Sequence, residues 1–474
     1  MRPLVVDLDG TLIGTDLLYE SLIQIFKNNL FTIFKLFFVA LEGKAPLKQF
    51  IASKVNINPA NLPYNSELLK WLQYEYKKGR KLILSTGSDF KNAKKIAEYL
   101  GIFHSVIASD GVTNNTGLTK SRTLVSRYGK LGFDYVGNSY DDIFVWEKAR
   151  FSIIVNASNN LIQKVYKISR VNKIFSRPKP SILIWFSALR IHQWLKNLLL
   201  FVPLLAGHVL PSTGSWTILL LAFMSFNICA SSVYITNDLF DLESDRQHQR
   251  KKMRPFASGK LPVWIGIILA PILITSAILI ATFVSIKFLY SLLIYFVITF
   301  LYSIILKKLV LIDCLTLAFL YTIRIISGAV VIGDALSFWL LAFSFFIFLS
   351  LAFVKRYAEI LSENKNNKAQ LSGRGYFITD APLIQTLGIT SGYASVIVLA
   401  LYLNSESVLR LYQSPQLIWL AIPVMLFWVS SIWMYANHGK MYDDPLIFAI
   451  KNSTSITTGL IFVAIMVMGT IGID

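Results

Sequence analysis

Five short runs of apolar, mostly β-branched residues recur through the first 160 residues, with amphipathic stretches between them. The runs lie at residues 4–6, 81–85, 105–108, 133–136 and 152–155. Continuous apolar runs are typical of strands buried on both faces, as in parallel sheets with helices on each side. The pattern predicts a doubly wound, Rossmann-like α/β soluble domain over residues 1–160.

A long insert separates the first two runs, and it contains an apolar stretch at residues 22–41. That length is close to the about 20 residues that a transmembrane helix needs. Lys27, Asn28, Asn29 and Lys35 interrupt the stretch, and a predicted sheet encloses it in the sequence. We therefore interpret residues 14–75 as a helical cap. A position on the membrane surface is one option for it, and a true span is the alternative.

The second half of the chain is apolar over long stretches, each near the length that crosses a bilayer. Candidate spans lie at residues 193–210, 216–238, 262–284, 286–306, 309–332, 336–356, 382–403, 416–436 and 446–470. A basic linker at residues 161–187, which includes Arg177 and Lys179, precedes them. The pattern predicts an all-α polytopic membrane bundle of about nine transmembrane helices over residues 188–474.

Composition favours a membrane protein over a wholly soluble one. Hydrophobic residues make up 54% and charged residues 15% of the 474 residues, against about 25% charged in typical globular proteins. The net charge of +19 suits membrane-surface loops and phosphate-bearing ligands, and we expect no nucleic acid partner. Cys229 and Cys314 lie in apolar runs, so neither disulfides nor a cysteine metal site is expected.

The distribution of Lys and Arg predicts the orientation of the bundle. Cations concentrate in the linker and in alternate loops, whereas the opposite loops contribute Lys287 and Arg410. Cytoplasmic loops carry the excess of positive charge in membrane proteins. We therefore expect a multi-pass protein of the cytoplasmic (inner) membrane, with the N-terminal domain in the cytoplasm and the C-terminus outside.

Candidate chemistry in the α/β half begins where the first run ends, with the sequence DLDGT at residues 7–11. Asp7 and Asp9 point the same way from an extended chain, at the end of the strand where open α/β sheets bind ligands. One carboxylate can attack phosphorus while the other handles the leaving-group proton, and Gly10 lets the backbone turn. A solvated turn without function is the alternative.

The next motifs extend this pattern, and together they resemble the haloacid dehalogenase-type phosphohydrolases. Thr86 follows the second run and matches the hydroxyl that binds the phosphoryl group in that family. Lys120 matches the cation that neutralises the aspartyl-phosphate. Taken singly, Thr86 is equally compatible with an ordinary strand-end hydroxyl. The order of the motifs over residues 1–155 favours a phosphatase over an inactive scaffold.

The fourth motif of that family completes, by the same resemblance, a Mg²⁺ site with Asp7 and the backbone of Asp9. It follows the fourth run here as GNSYDD at residues 137–142. Asn138 stands where the family has its first acid, which leaves Asp142, or Asp141, as the charged ligand. An amide still offers an oxygen, so the expected site has less charge but is not lost.

The membrane half carries its own acidic motif where the second predicted span ends. Asp238, Asp241 and Asp245 are three and four residues apart, so on a helix they share one face. Three like charges on one stripe need a cation, and Mg²⁺ accepts both carboxylate and diphosphate oxygens. A solvated acidic helix end is the alternative. The cationic run from Arg246 to Arg254 suits a departing diphosphate, unless it reflects topology alone.

This arrangement resembles the UbiA superfamily of membrane transferases, whose bundle holds a Mg²⁺-diphosphate over an acidic motif. Over residues 188–474 it is similar in detail to the decaprenyl-phosphate phosphoribosyltransferase branch. The resemblance assigns catalytic and metal-binding roles to the three aspartates. It assigns substrate-binding roles to Lys196, Asn237, His248, Lys251, Arg254, Tyr321, Arg324, Lys355, Arg356, Tyr357 and Glu359.

Two further features concern ionisable residues in or near predicted spans. Arg324 lies within a span, where such groups are functional by default, and a structural pair with Asp313 is the alternative. Asp443 and Asp444 precede the last span. A helix N-cap is favoured for them over a polar rim of the site.

The two resemblances together imply an enzyme with two reactions. The membrane half would transfer 5-phosphoribosyl from phosphoribosyl pyrophosphate to a polyprenyl phosphate lipid, and the α/β half would remove the 5-phosphate. The alternative is an aromatic prenyltransferase of the UbiA type that uses a polyprenyl diphosphate, with a regulatory or non-catalytic soluble domain.

Overall fold

The computed structural model describes residues 1–28, 31–176, 181–206, 213–248, 250–333, 337–364, 371, 373–405, 412–441 and 444–471. Arg177, Lys179, Arg410 and Asp443, which enter the sequence predictions, lie outside these ranges. The chain forms two compact units. The first comprises Met1–Leu189 with Tyr234–Ala270, and the second comprises Arg190–Val233 with Pro271–Asp474.

A parallel sheet with the strand order β3-β2-β1-β4-β5-β6 forms the centre of the first unit. Within it, β1 pairs with β2 and with β4. Because the strand order reverses at β1, the ligand crevice of a doubly wound sheet lies at the C-terminal ends of these strands. The predicted fold class is confirmed. The strands are β1 (Leu4–Val6), β2 (Leu82–Asp89), β3 (Ser105–Ser109), β4 (Asp134–Gly137), β5 (Ser152–Val155) and β6 (Val171–Phe175).

Helices cover both faces of the sheet, since Leu4 and Val6 of β1 belong to one buried cluster and Val5 to another. Residues 14–75, predicted as the cap, hold α1 (Leu17–Asn28), α2 (Phe31–Glu42), α3 (Lys44–Lys54) and most of α4 (Ser66–Lys77). The apolar stretch at 22–41 falls in α1 and α2, helices of 12 residues each. Neither reaches the about 20 residues that cross a bilayer. The further helices are α5 (Phe90–Leu100), α6 (Gly117–Tyr128), α7 (Ile143–Trp146), α8 (Asn159–Ile168) and α9 (Ile182–Leu189).

The sixth strand lies where the sequence predicts a basic linker, at residues 161–187. Helix α8 and strand β6 occupy the first part of that range. Lys173 of β6 is exposed, whereas Phe175 is buried in the core. An edge strand with a solvated side has no continuous apolar run, and for this reason the sequence pattern does not indicate it.

The rest of the described chain is helical. Its helices are α10 (Val202–Ala206), α11 (Thr213–Phe240), α12 (Leu242–Gln247), α13 (Val263–Val284), α14 (Ile286–Ile304), α15 (Ile312–Ile332), α16 (Phe338–Asn364), α17 (Ala381–Leu403), α18 (Pro415–Ile418), α19 (Ala421–Asn437), α20 (Pro445–Lys451) and α21 (Ser453–Ile471). Within the described ranges, 8 segments are long and apolar enough to cross a membrane. They are Trp216–Phe240, Val263–Val284, Ile286–Ile304, Ile312–Ile332, Phe338–Glu363, Ile378–Leu403, Pro415–Asn437 and Ser453–Ile471. The predicted polytopic helical architecture is confirmed.

The sequence predicts about nine spans, and the one at residues 193–210 is not among these 8 segments of the described ranges. Its described part is a 3₁₀ helix (Ile191–Phe201) followed by α10, and Lys196 and Asn197 are buried in it. With a rise of about 2.0 Å per residue in 3₁₀ and about 1.5 Å in α geometry, this part covers about 30 Å. That is about the thickness of the hydrocarbon core. The segment has the length to cross a bilayer without being one continuous α-helix.

A topology measurement tests this reading of the first span. If the segment at 191–206 crosses with the others, the number of crossings is odd and the termini lie on opposite sides. We expect a reporter fused at residue 1 to lie in the cytoplasm and one fused after residue 474 to lie outside. Paired fusions to an enzyme active only outside the cytoplasm and to a cytoplasmic fluorescent protein measure this. Both termini on one side would show that the segment does not cross.

Candidate active sites

The C-terminal ends of β1 and β2 bring the predicted phosphatase residues together. Asp7 Oδ1 accepts a hydrogen bond from Lys120 Nζ at 2.7 Å, and Asp7 Oδ2 accepts one from Thr11 at 3.3 Å. Asp9 Oδ2 accepts a hydrogen bond from Thr86 Oγ1 at 3.3 Å. The two carboxylates, the hydroxyl and the lysine therefore lie in one cluster, as the order of the motifs predicts.

Two residues that the sequence reasoning missed join this cluster. Ser88 Oγ donates to Asp9 Oδ2 at 2.6 Å, and it lies two residues beyond Thr86 on the same side of β2. Lys48 reaches in from cap helix α3 and donates to the carbonyl oxygen of Gly87 at 2.6 Å. The period of two along a strand indicates Ser88, but nothing in the local sequence distinguishes Lys48 from other lysines of the cap.

In the fourth motif, the Asp142 carboxylate accepts several hydrogen bonds from the protein. Asp142 Oδ2 accepts hydrogen bonds from the backbone N–H groups of Asn138 and Ser139 at 2.9 Å and from Ser139 Oγ at 3.0 Å. Its Oδ1 accepts one from Tyr135 at 2.6 Å. In this geometry the carboxylate closes the turn after β4, and its role as a metal ligand stays a prediction. Asp141 is exposed.

Oxygen donors suited to a hard cation are nevertheless present at this edge. Strands β1 and β4 are neighbours, and a Cβ added to Gly10 would lie 2.2 Å from Asn138 Nδ2. The Asp7 carboxylate and the Asn138 amide thus offer oxygen ligands of the kind that Mg²⁺ prefers. They carry less charge than two acids would. Within the described ranges, no group of three or more His, Cys, Asp or Glu side chains is arranged to hold a metal ion.

Burial dominates the electrostatics of the cluster. It raises the pKa of Asp7 to about 7 against the opposing charge of Lys120. Burial and the neighbouring Asp16 raise the pKa of Asp9 to about 6. Burial disfavours the charge of Lys120, but Asp7 and Asp142 outweigh this effect and raise the lysine pKa. With a pKa of about 6, Asp9 can carry a proton near physiological pH, as a proton donor requires.

The acidic motif of the membrane half lies at the junction of α11 and α12. Asp238 and Asp245 are each 2% exposed. Arg254 Nη1 bridges them, 3.1 Å from Asp238 Oδ1 and 2.6 Å from Asp245 Oδ2. Burial raises the pKa of Asp245, and Arg254 opposes that effect. Two buried carboxylates that share one cation have the charge and the donor atoms that fit a divalent metal.

Asp241 departs from the predicted common face. Helix α11 ends at Phe240, and Asp241, with φ −101° and ψ 12°, precedes α12. Asp241 Oδ1 lies 3.4 Å from Lys27 Nζ of the cap, which also donates to the Phe240 carbonyl oxygen at 2.6 Å. The break in the helix turns Asp241 toward the cap, so the structure brings two of the three predicted aspartates together.

The cap makes a second contact just beyond the acidic motif. Arg246 of α12 donates to both carboxylate oxygens of Glu20 of α1, at 2.9 and 2.5 Å. Arg246 Nε also donates to the carbonyl oxygen of Ala257 at 3.0 Å. The pair is buried, with side chains 8% and 6% exposed. Because a bidentate charge-assisted pair has specific geometry, it fixes the cap against the loop that carries Arg254.

The other predicted binding residues of this segment lie nearer its surface. His248 ends α12, and its Nδ1 accepts from the backbone N–H groups of Arg250 and Lys251 at 3.2 and 3.4 Å. His248 and Lys251 are exposed, and Asn237 is half-buried. Of the predicted cations in this segment, the structure places Arg254 at the carboxylates.

In the second unit, Asp444 gathers three of the predicted substrate-binding residues. Its Oδ2 accepts hydrogen bonds from Lys196 at 2.7 Å and Lys355 at 3.0 Å, and its Oδ1 accepts one from Tyr321 at 3.2 Å. It also caps α20 through the backbone N–H of Leu446, as favoured from the sequence. Burial opposes its charge, but the two lysines outweigh burial and lower its pKa. Asp444 thus brings two lysines and a tyrosine hydroxyl together.

Arg324 is 4% exposed in α15, and its partners differ from the pair considered from the sequence. Its Nε donates to Asn197 Oδ1 at 2.7 Å, and its Nη2 donates to Tyr295 at 3.0 Å. Asp313 lies instead 2.5 Å from Arg356 Nη2. The alternative of an Arg324–Asp313 pair is therefore wrong, and Asn197 and Tyr295 are neutral partners of Arg324.

Arg356, Tyr357 and Glu359 take part in the packing of the bundle. Arg356 is fully buried and forms ion pairs with Asp313 of α15 and with Glu359. Tyr357 donates to Asn437 Oδ1 of α19 at 2.8 Å. These contacts hold α16 against its neighbours. The structure thus shows packing contacts for these three residues, and their substrate-binding role stays a prediction.

These features define a polytopic membrane protein with an acidic motif at a helix end and a doubly wound α/β domain. The UbiA prenyltransferase family matches residues 200–372, and the chain belongs to this family.

Two relatives and one solved structure illustrate the similarity. The chain is 32% identical over 468 residues to the y4nM protein of Sinorhizobium fredii, covering 98% of this chain and 90% of that one. It is 29% identical over 282 residues to the decaprenyl-phosphate phosphoribosyltransferase of Mycolicibacterium smegmatis, covering 58% of this chain and 88% of that one. A UbiA homologue from Archaeoglobus fulgidus bound to GPP and Mg²⁺ is 16% identical with a TM-score of 0.47, covering 60% of this chain and 99% of that one.

The raised pKa values predict how the stability of the α/β domain depends on pH. Asp7 and Asp9 have folded-state pKa values of about 7 and about 6, against 3.8 ordinarily. The folded state therefore binds more protons between about pH 4 and pH 7, and stability falls as pH rises through that window. Asp9→Asn should remove about 3 kcal/mol of this loss. Thermal unfolding in EDTA, monitored through the protease sensitivity of residues 1–176, measures this pH dependence of stability. Equal pH dependence in both proteins would contradict the assignment.

The Glu20–Arg246 pair predicts a strong dependence of the first unit on either partner. Glu20→Ala leaves a buried guanidinium without its carboxylate, so we expect a loss of about 3–5 kcal/mol. The double variant Glu20→Gln with Arg246→Met should recover part of that loss, because it removes both charges. Glu67→Ala, which truncates an exposed acid of α4, is the matched control. Thermal unfolding of the purified protein reports the differences, and a neutral Glu20→Ala would refute the role of the pair.

Proposed function

We propose that the membrane half transfers a 5-phosphoribosyl group from phosphoribosyl pyrophosphate to the phosphate of a polyprenyl phosphate lipid. We propose further that the α/β domain then removes the 5-phosphate to give polyprenyl-phosphoribose. The observation that carries the transfer is the buried Asp238–Asp245 pair with its shared Arg254. The similarity to a decaprenyl-phosphate phosphoribosyltransferase supports the choice of donor and acceptor.

Asp238 and Asp245 are the residues that would hold Mg²⁺ in the transferase. The ion would supply charge neutralisation for the donor diphosphate. Breaking the bond at C1 of the sugar leaves an oxocarbenium-like carbon, onto which an oxygen of the lipid phosphate adds. Arg254 can move from the carboxylates to the departing diphosphate, and the exposed Lys251 lies three residues away on the same loop. Cations beside a departing diphosphate stabilise its charge and favour its departure.

The second unit supports substrates that bring several phosphates. Its Asp444 cluster holds two lysines against one carboxylate, and Arg324 hydrogen-bonds neutral groups. By contrast, Arg356 pairs with two acids. Buried cations are costly unless anions compensate their charge. The acceptor phosphate and the 5-phosphate of the donor are anions of the required kind.

The α/β cluster supports phosphate-ester hydrolysis through an aspartyl-phosphate. Asp7 attacks phosphorus, the P–O bond to the sugar breaks, and Asp9 donates its proton to the leaving sugar oxygen. Lys120, 2.7 Å from Asp7, balances the charge on the phosphoryl group. Thr86 and Ser88 orient Asp9. Water then hydrolyses the acyl phosphate with Asp9 as base, and Asp7 and Asn138 would hold a Mg²⁺ that screens the phosphoryl oxygens.

Fusion supports the coupling of the two reactions. A phosphatase tethered to the transferase sees the phosphorylated lipid at high effective concentration. The proposal places the α/β domain on the cytoplasmic side of the inner membrane, where phosphoribosyl pyrophosphate is available, and the C-terminus outside. This placement follows from the charge of the loops.

Two matched variants test the proposal. Membranes with labelled phosphoribosyl pyrophosphate, Mg²⁺ and a polyprenyl phosphate should yield labelled lipid. Asp238→Asn should lower that label at least about 100-fold, since it removes a carboxylate from the cation site. Glu243→Gln, an exposed acid of the same segment, should retain the label. Asp7→Asn should also retain the label, but its lipid should carry one phosphate more in mass spectra.

Each contrary result would exclude a different part of the proposal. Label that persists in Asp238→Asn would remove this carboxylate from transfer. Identical lipid mass from Asp7→Asn and the unsubstituted protein would remove the phosphatase step and leave the transfer intact. Prenylation of an aromatic ring from a polyprenyl diphosphate, without label transfer from phosphoribosyl pyrophosphate, would replace the proposal by the aromatic prenyltransferase alternative.

A further inference from the structure

Helix α2 of the cap presents an unusual apolar surface. Phe34, Phe37, Phe38 and Leu41 are 71%, 66%, 66% and 73% exposed, and we call them the aromatic face of α2. They occur at i, i+3, i+4 and i+7, so they lie along one side of the helix. Leu36 of the same helix is buried in the core cluster that includes β1. The helix is therefore held by one side, while large apolar side chains extend from another.

The first unit also contains the end of one membrane span and the start of the next. The span Trp216–Phe240 ends in this unit, and Val263–Val284 begins in it. Trp264, at the start of the second of these spans, is 46% exposed, as is typical of aromatic residues at the membrane–water interface. The compact unit that holds the cap therefore also contains residues at the membrane–water interface.

Contacts of helix α1 attach the cap to the end of the first of these spans. The ring of Phe26 in α1 stacks on the ring of Phe240, with centroids 6.0 Å apart, and Lys27 donates to the Phe240 carbonyl oxygen at 2.6 Å. Helix α2 begins at Phe31, at most about 15 Å of chain beyond Lys27. The aromatic face therefore starts close to the end of a membrane span.

We propose that α2 is an interfacial membrane anchor, with its aromatic face inserted into the headgroup region of the bilayer that the chain itself crosses. An amphipathic helix of this kind lies in the plane of the interface, with its apolar side about 5–10 Å deep. Lys35 of α2 and Lys44 at the start of α3 are exposed beside the face, and such cations suit anionic lipid headgroups. The inference is independent of the reactions proposed above.

Anchoring α2 has a direct consequence for the α/β site. Helix α3 follows α2 after a single residue, Gly43, and α3 carries Lys48, which reaches the Gly87 carbonyl oxygen beside the Asp9 cluster. The part of the cap that bounds the site is therefore continuous with the part that we place in the interface. A site held in this way receives substrates from the membrane surface.

A depth measurement on the full chain tests the anchor. Phe38→Cys and, separately, Leu41→Cys would carry a fluorescent probe in nanodiscs that hold one protein copy and anionic lipid. Tyr166→Cys, at a 59% exposed aromatic position of α8, is the matched control. The native cysteines Cys229 and Cys314 are buried. Lipids with a nitroxide near the headgroup should quench the probes on α2 at least about threefold more than the probe on α8, and aqueous iodide should do the reverse.

Two results would overturn the proposal. Probes on α2 that iodide quenches as strongly as the probe on α8 would place the aromatic face in water. Probes that are protected in concentrated detergent solution, yet open to iodide in single-copy nanodiscs, would show that a second copy of the chain covers the face. Use of two positions on α2 keeps the test valid if either substitution disturbs folding.

Discussion

The bidentate ion pair between Glu20 and Arg246 is the contact on which the acidic segment depends. Arg246 also donates to Ala257, and Ala257 lies three residues beyond Arg254 in the same loop. The carboxylate of Glu20, in the cap, thereby helps to fix the guanidinium that bridges Asp238 and Asp245. A buried pair of this type is strongly specific in geometry, and the loss of one partner is costly. The geometry of the acidic motif therefore depends on two segments that are far apart in the sequence.

Buried charges are compensated differently in different parts of the chain. Asp7 pairs with Lys120, and the Asp313–Arg356 contact lies wholly inside the bundle. These pairs are locally balanced and link neighbouring elements. Asp444, by contrast, meets two lysines. Asp444 thus pairs with two cations and Asp7 with Lys120, and residue type alone does not reveal this difference.

The sequence predicts those features that depend on local pattern. Apolar runs indicate five of the six strands, and motif order brings Asp9 and Thr86 together. Three features cannot be predicted from local sequence pattern, for physical reasons. β6 is an edge strand with solvated residues, Lys48 acts through tertiary placement of the cap, and a helix break at Asp241 turns its carboxylate toward Lys27. Each depends on contacts across many residues, which helical or strand periodicity does not encode.

The discontinuity of the first unit constrains the order in which it can form during synthesis. Glu20 and Arg246 are 226 positions apart, and the chain of the second unit up to Val233 is made between them. At about 5–20 residues per second, that interval is about 10–45 s. During it the sheet can fold, but Glu20 has no Arg246 to pair with until α12 has been made. Completion of the first unit is thereby tied to the synthesis of α11 and α12, and a chain that stalls before α12 would have a cap without its Arg246 contact.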